Sequence, residues 1–97
     1  MRVIYHQLAV RDVWEILDHY ESEADARLAD RFYAELLALI DKAVGNPQHF
    51  RPVGIAIRRA NLTGFPYHFL YEEKLWGIKV LVVRHHRRNP QYGLRRR

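Results

Sequence analysis

Apolar residues recur at every third or fourth position along the first half of the chain, which is the spacing of amphipathic α-helices. One such segment runs from about Ala9 to about Glu23, and a second runs from about Asp25 to Val44. The first has an apolar stripe of Val10, Val13, Trp14, Leu17, Tyr20 and Ala24, opposite a polar face of Asp12, Glu15, Asp18, His19 and Glu21. The stripe of the second consists of Leu28, Phe32, Leu36, Leu39, Ile40 and Ala43. Because the connection is short, the two segments are predicted to form an antiparallel helix hairpin.

Turn-forming residues mark the ends of the second helix. Residues 22–25 are typical of a break followed by a new N-cap. Gly45 is predicted to be a left-handed residue that ends the helix, and Asn46-Pro47 prevents its continuation. Residues 46–54 contain two prolines and are predicted to be a loop.

Alternation of polar and apolar residues replaces the helical spacing after this loop, and it is typical of β-strands. Strands are predicted at residues 2–6, 55–62, 67–72 and 78–85. The last of these is apolar on both faces in its middle, so it is expected inside the sheet and not at its edge.

The predicted order is therefore strand, helix, helix, strand, strand, strand. This order predicts an α+β fold of two layers, in which the helix hairpin packs on a mostly antiparallel four-stranded sheet. The 97 residues form a single predicted domain, residues 1–97, because the chain is too short for two cores. One face of the sheet is expected to remain partly open. Residues 93–97 are expected to be a mobile basic tail.

Composition removes several classes of protein. The chain has no cysteine, which excludes a disulfide framework, thiolate zinc sites and cysteine nucleophiles. No segment has the length and apolar character of a signal peptide or a membrane span, so a cytoplasmic location without membrane contact is expected. A hydrophobic content of 48% is sufficient for a packed core.

Charge is divided unevenly along the chain. Residues 1–45 carry nine acidic and five basic side chains, a net charge of −4, whereas residues 46–97 carry two acidic and eleven basic side chains, a net charge of +9. Such a segregation favours an anionic partner, either nucleic acid or an acidic protein.

The candidate chemistry lies in this basic half. No metal motif and no phosphate-binding glycine loop is present, so neither a metal nor a cofactor is expected. The candidate residues are Arg58, Arg59, Arg84, His85, His86, Arg87, Arg88 and Tyr92. Arginines bind phosphates, and a histidine beside a tyrosine could move protons while a 2′-hydroxyl attacks its own phosphodiester. The same residues also describe a surface that binds an acidic partner, and the residue types alone leave both interpretations open.

Arg84 has a second possible role. Strict alternation places it on the same strand face as Ile78, Val80 and Val82. If the helices cover that face at its end, Arg84 must pair with a carboxylate, since an unpaired buried charge is costly. Its role would then be structural.

From residue 3 to about residue 92, the chain resembles the RelE/ParE superfamily of toxins from bacterial type II toxin–antitoxin systems. The resemblance rests on the strand Arg58-Arg59-Ala60-Asn61-Leu62, on Phe65-Pro66-Tyr67 with Tyr71, and on Val80–Val83 leading to His85-His86-Arg87-Arg88-Asn89-Pro90. It implies a toxin component of a plasmid-stabilisation type of module. It also implies a cognate antitoxin that wraps an extended, partly acidic segment over the toxin surface.

Two activities occur in this superfamily. ParE-like members inhibit growth through DNA gyrase, and RelE-like members cleave mRNA in the ribosome without a metal ion. In the RelE-like case Arg84, His86 and Tyr92 would be catalytic, whereas Arg58, Arg59, His85, Arg87 and Arg88 would bind substrate or partner in either case. The lysine-rich stretch before the sheet of RelE-like members is absent, so the ParE-like branch is favoured. A third alternative is a DNA-binding module without toxicity, although its acidic helices make poor recognition helices.

Overall fold

The computed structural model describes residues 1–97 and contains two helices and five strands. They are β1 (Arg2–Tyr5), α1 (Gln7–Glu23), α2 (Ala26–Gly45), β2 (Arg51–Gly54), β3 (Ile57–Asn61), β4 (Tyr67–Lys74) and β5 (Gly77–His85). The sheet order is β1-β5-β4-β3-β2, with β1 parallel to β5 and every other pair antiparallel. The α+β class and the helix hairpin are confirmed. The sheet is mixed and five-stranded, so the predicted number of four strands is wrong.

The additional strand, β2, lies in the segment predicted to be a loop. Arg51 pairs with Arg59 and Pro52 with Arg58, and the register shifts before Gly54. Proline is tolerated here because β2 is an edge strand, where a missing N–H group leaves no ladder bond unmade. A turn at residues 55 and 56, with Ala56 at φ 61°, joins β2 to β3, so the predicted strand at 55–62 begins only at Ile57.

Strand β5 lies between β1 and β4, as its apolar sequence predicts. A β-bulge interrupts its pairing with β4: Leu70 is opposite Val82, but Tyr71 is opposite Val80. The extra residue, Leu81, reverses the alternation of side chains along β5. Arg84 therefore lies on the face away from the helices, and its predicted placement beside Val80 is wrong.

The helices cover one face of the sheet. Their buried residues are Ala9, Asp12 and Ile16 in α1 and Ala29, Phe32, Leu36, Ile40 and Ala43 in α2. Most of them form the main core with the helix-facing side chains of the strands, among them Phe69, Tyr71, Ile78 and Val80. Burial along α1 differs from the predicted stripe, because Asp12 faces the sheet and Trp14 is 68% exposed. Neither helix is long and apolar enough to cross a membrane.

The helix ends are set by local hydrogen bonds. Asp25 is the N-cap of α2, and its carboxylate accepts a hydrogen bond from the Leu28 N–H at 2.9 Å, as predicted. Gly45 is still helical, and it is not among the residues with positive φ. The helix ends instead at Asn46, whose N–H donates to the Lys42 carbonyl, so the predicted left-handed role of Gly45 is wrong.

Gly77 starts β5 where the chain passes closest to β1. Its φ is 147°, and a Cβ atom at this position would lie 1.8 Å from the Arg2 carbonyl oxygen. Since that atom belongs to the backbone of a paired strand, it cannot move aside without breaking the ladder. Only glycine fits this position.

Replacing Gly77 by alanine is expected to lower the free energy of unfolding by more than about 2 kcal/mol, because it combines a backbone clash with a positive φ. Gly45→Ala is the control, since a Cβ atom there has no neighbour within 4 Å. It should leave the free energy of unfolding unchanged or raise it by up to about 1 kcal/mol. Urea unfolding followed by circular dichroism measures both variants. Equal stabilities would contradict the close approach at Gly77.

Candidate functional site

The C-terminal segment covers part of the open sheet face. A second apolar cluster of Ile57, Leu70, Leu81 and Val82 lies on this face, and Tyr92 and Leu94 pack against it. Gly93 lies between them with φ 86°, and a Cβ atom there would be 2.6 Å from the Val82 Cβ. The glycine therefore lets the backbone lie directly on the sheet. The mobility expected for residues 93–97 stays a prediction, but these residues make the contacts described next.

Asp12 connects this segment to α1 and β5. Its carboxylate, 5% exposed, accepts hydrogen bonds from the Val83 N–H at 3.1 Å, the Tyr92 hydroxyl at 3.1 Å and Arg96 Nη1 at 2.6 Å. The Val83 N–H needs an acceptor because β1 is shorter than β5. Strand β1 pairs with β5 only as far as Val80, so the later N–H groups on that edge of β5 have no strand partner.

Tyr92 is held on its ring faces as well as at its hydroxyl. The guanidinium carbon of Arg88 lies 3.9 Å from the ring centroid and that of Arg96 lies 4.7 Å from it, both within cation–π range. Because its hydroxyl donates to Asp12, Tyr92 serves as a fixed packing residue.

Arg84 is buried on the open face, and its Nε and Nη1 atoms are hydrogen-bonded within the protein. Its Nε donates to His68 Nε2 at 2.8 Å, and its Nη1 donates to the carbonyls of Pro90 and Tyr92, each at 2.8 Å. Burial lowers the pKa of its guanidinium group, and no carboxylate lies within 4.0 Å of it. Arg84 therefore fixes the segment that follows β5, through carbonyl acceptors instead of the ion pair considered above.

His68 and His86 form a hydrogen-bonded pair with nearly parallel ring planes beside Arg84. Their Nδ1 atoms are 3.0 Å apart, and their rings are inclined by 11°. Arginine only donates, so His68 Nε2 accepts and the His68 proton is on Nδ1. That proton is donated to His86 Nδ1, which leaves the proton of His86 on Nε2. Arg59 Nη2, at 3.4 Å, also points at His86 Nδ1.

Both imidazoles are neutral in this arrangement. Burial, with the charges of Arg59 and Arg84, lowers the pKa of His68 to about 3. Desolvation, with Arg59 and His85, also lowers the pKa of His86. A second proton on His68 would oppose the Arg84 donor, so geometry and charge favour the same state.

The structure gathers some of the predicted residues and separates others. Arg59, Arg84 and His86 meet on the open face, whereas Arg58 lies on the other face and donates to the Phe50 carbonyl at 2.7 Å. His85 Nδ1 accepts a hydrogen bond from the Arg87 N–H. Arg87 and Arg88 are exposed.

Three members of the network, Asp12, His68 and Arg96, are not among the predicted candidate residues. The predicted hairpin brings His68 close to Arg84, although a regular register would pair it with Val83 and only the bulge at Leu81 makes the two residues direct partners. Helical periodicity gave no such signal for Asp12. No group of three or more histidine, aspartate or glutamate side chains is positioned to hold a metal ion.

Comparison with known proteins identifies the family. The chain matches the family described as ParE toxin of type II toxin-antitoxin system, parDE, over residues 3–90, and it therefore belongs to this toxin family. The predicted membership of the RelE/ParE superfamily and its ParE-like branch is confirmed. No curated protein sequence matches the chain.

A solved structure has the same fold. It is described as the chromosomal ParDE TA system from P. aeruginosa, and it superposes with a TM-score of 0.76 at 19% sequence identity. The match covers 88% of this chain and 95% of the other.

Replacing Asp12 by alanine is expected to lower the free energy of unfolding by about 3–5 kcal/mol, because Arg96 and the Val83 N–H lose a buried acceptor. Glu15→Ala removes a carboxylate from the same helix, where it pairs only with exposed Arg11. That control should change the free energy by less than about 1 kcal/mol. Urea unfolding distinguishes them. A loss for Asp12→Ala no larger than for the control would show that the carboxylate does not hold the segment.

Stability is also expected to depend on pH through His68. Its pKa is about 3 in the fold and about 6.5 in the unfolded chain, so the unfolded chain binds the proton first as pH falls. The contribution is complete above pH 6.5 and is lost towards pH 3, by up to about 1.4 kcal/mol per pH unit. Urea unfolding between about pH 7 and pH 4.5 should give a shallower pH dependence for His68→Gln than for wild type. The exposed control His49→Gln should keep the wild-type dependence, and identical slopes in all three proteins would exclude a neutral buried His68.

Proposed function

We propose that this ParE-family toxin inhibits growth by binding DNA gyrase in the cytoplasm, and that it does not cleave RNA. The supporting observation is the engagement of the residues that cleavage would require. The Tyr92 hydroxyl donates to Asp12, and Arg84 donates to His68 and to two carbonyls. A general acid or base must be able to reach the substrate proton, directly or through one water molecule.

His86 is the remaining candidate for proton transfer. Its Nδ1 faces two donors, His68 Nδ1 and Arg59 Nη2. Only Nε2 is free, and in this tautomer it carries a proton. To act as a base, His86 would first have to shift its proton to Nδ1, which breaks the contact with His68. The arrangement thus favours a surface that binds over a site that transfers protons.

The surface available for binding is cationic. Arg87 and Arg88 are exposed just beyond β5, and neither has a carboxylate within 4.0 Å. Exposed arginines without a carboxylate partner are suited to an acidic surface on another protein, where they contribute association rate and specificity. We assign the contact with gyrase to this pair of side chains.

A cognate antitoxin has a second surface to occupy. Nine apolar side chains line a groove of about 350 Å³ between the outer sides of α1 and α2. They are Tyr5, Val10, Val13, Trp14, Leu17, Tyr33, Leu36, Leu37 and Ile40. Trp14 at 68% and Tyr33 at 44% exposure remain in solvent at its rim. An antitoxin that fills this groove with apolar side chains and extends an acidic segment over the basic half would neutralise the toxin.

The test is a supercoiling assay with purified gyrase and relaxed plasmid. Wild-type protein is expected to abolish supercoiling, because it binds the enzyme. The double variant Arg87→Glu/Arg88→Glu should require at least about tenfold more protein, a loss of about 1.4 kcal/mol. Arg27→Glu/Arg31→Glu changes the net charge equally on exposed positions of α2 and is the matched control.

A parallel experiment in cells separates the alternatives. The protein is expressed with and without the reading frame beside its gene, and plasmid topology and transcripts are examined in arrested cells. Relaxed plasmid with intact transcripts is the expected result. Unchanged supercoiling at large excess, together with mRNA cut within codons, would instead assign a ribosome-dependent endoribonuclease.

A further inference from the structure

Two arginines lie side by side on the open sheet face without a compensating charge. Arg51 on β2 and Arg59 on β3 are direct partners in an antiparallel pair, so their side chains leave the sheet on the same face. The pKa of Arg59 is lowered by desolvation and by the charge of Arg51. Like charges directly opposite each other destabilise a strand pair, so this placement needs another explanation.

No acidic side chain neutralises these arginines. The ion pairs of the chain join Arg11 to Glu15, Lys74 to Glu72, Arg96 to Asp12 and Arg97 to Glu72. Neither Arg51 nor Arg59 is among them, and Arg84 nearby also lacks a carboxylate. The positive charge of this face is therefore available to an external anion.

His86 supplies a third donor at the same place. Arg59 Nη2 lies 3.4 Å from His86 Nδ1, which brings the ring beside the guanidinium group. Because His86 Nδ1 faces the His68 donor, the His86 N–H is on Nε2, which has no hydrogen-bond partner within the protein. Arg59 Nε donates to Asn61 Oδ1 at 2.7 Å, so the site offers an external anion the remaining terminal N–H groups of Arg59, the guanidinium group of Arg51 and one imidazole N–H.

We propose that Arg51, Arg59 and His86 form a binding site for backbone phosphodiester groups of duplex DNA. Planar guanidinium groups donate two parallel hydrogen bonds to phosphate oxygens. The neutral imidazole N–H can donate another hydrogen bond from a different direction. Binding is to DNA itself, independently of gyrase.

The surroundings favour a duplex over a single strand. Proteins that hold single strands stack the bases on exposed aromatic rings. The Tyr92 ring, which lies on the open face, has the cations of Arg88 and Arg96 over it. The exposed aromatic side chains Trp14 and Tyr33 belong to the helix layer on the other side of the sheet. Contacts to phosphates without stacking are those of a duplex backbone.

The test uses purified protein and a fluorescently labelled DNA duplex of about 20 base pairs, with anisotropy measured from about 50 to 200 mM salt. For each phosphate contact removed, the slope of log K against log salt should become shallower by about 1. Arg51 is exposed, and its side chain makes no hydrogen bond within the protein. Arg51→Gln should therefore remove about one phosphate contact, and Arg51→Gln/Arg59→Gln should remove about two. The double variant should also bind at least about tenfold more weakly at the lower salt concentration.

Arg27→Gln/Arg31→Gln is the matched control, since it removes two charges from exposed positions of α2. It should retain the wild-type slope. Equal losses in both double variants would mean that only net charge matters and would overturn the proposal, as would the absence of salt-dependent binding by wild-type protein. An RNA duplex of the same sequence forms the second arm, and binding of that RNA without binding of DNA would also overturn it. Because gyrase is absent from the assay, these results are independent of the supercoiling test.

Discussion

The structure depends on a mismatch between two neighbouring strands. Strand β1 has four residues and β5 has nine, so the second half of β5 continues past the end of its partner. Backbone donors exposed in this way must be satisfied inside the protein, and the chain turns directly from β1 into α1 to do so. Asp12, less than two turns into that helix, reaches the Val83 N–H. The Asp12 carboxylate thus provides the acceptor that a longer β1 would have provided.

A buried carboxylate in turn requires a cation, and this requirement fixes the C-terminal segment. Arg96 returns to Asp12 and also donates to the Leu81 carbonyl at 3.2 Å, so Asp12 satisfies an N–H group of the unpaired edge and Arg96 satisfies a carbonyl of it. The Tyr92 hydroxyl, from the segment on the open face, donates to the same carboxylate. Tyr92 and Arg84, which were considered for RNA cleavage, consequently stabilise the fold through their hydrogen bonds. Toxicity through binding is compatible with this arrangement because it needs an accessible surface and no mobile acid or base.

Periodicity correctly predicted the elements that depend on local sequence. It failed for features that depend on residues distant in the chain. The helix hairpin and the interior position of β5 follow from their own apolar patterns. Strand β2 does not, because Pro52 is acceptable only at an edge, and edges are defined by the whole sheet. Asp12 has the appearance of a surface residue until the length of β1 is known. The pairing of His68 with Arg84 lies between these cases, since the hairpin brings the two residues close but the bulge at Leu81 decides that they are direct partners.

The bulge at Leu81 has a consequence for evolution. It decides whether the residues after it project towards the helices or away from them, so a one-residue deletion in β5 would exchange the two sets. Arg84 would then enter the main core, and Val83 would face solvent. Relatives whose strands differ in length by one residue can therefore share every arginine in an alignment with a single gap and yet display them on opposite sides. Inheritance of a function along this branch requires conservation of strand length as well as of residue type.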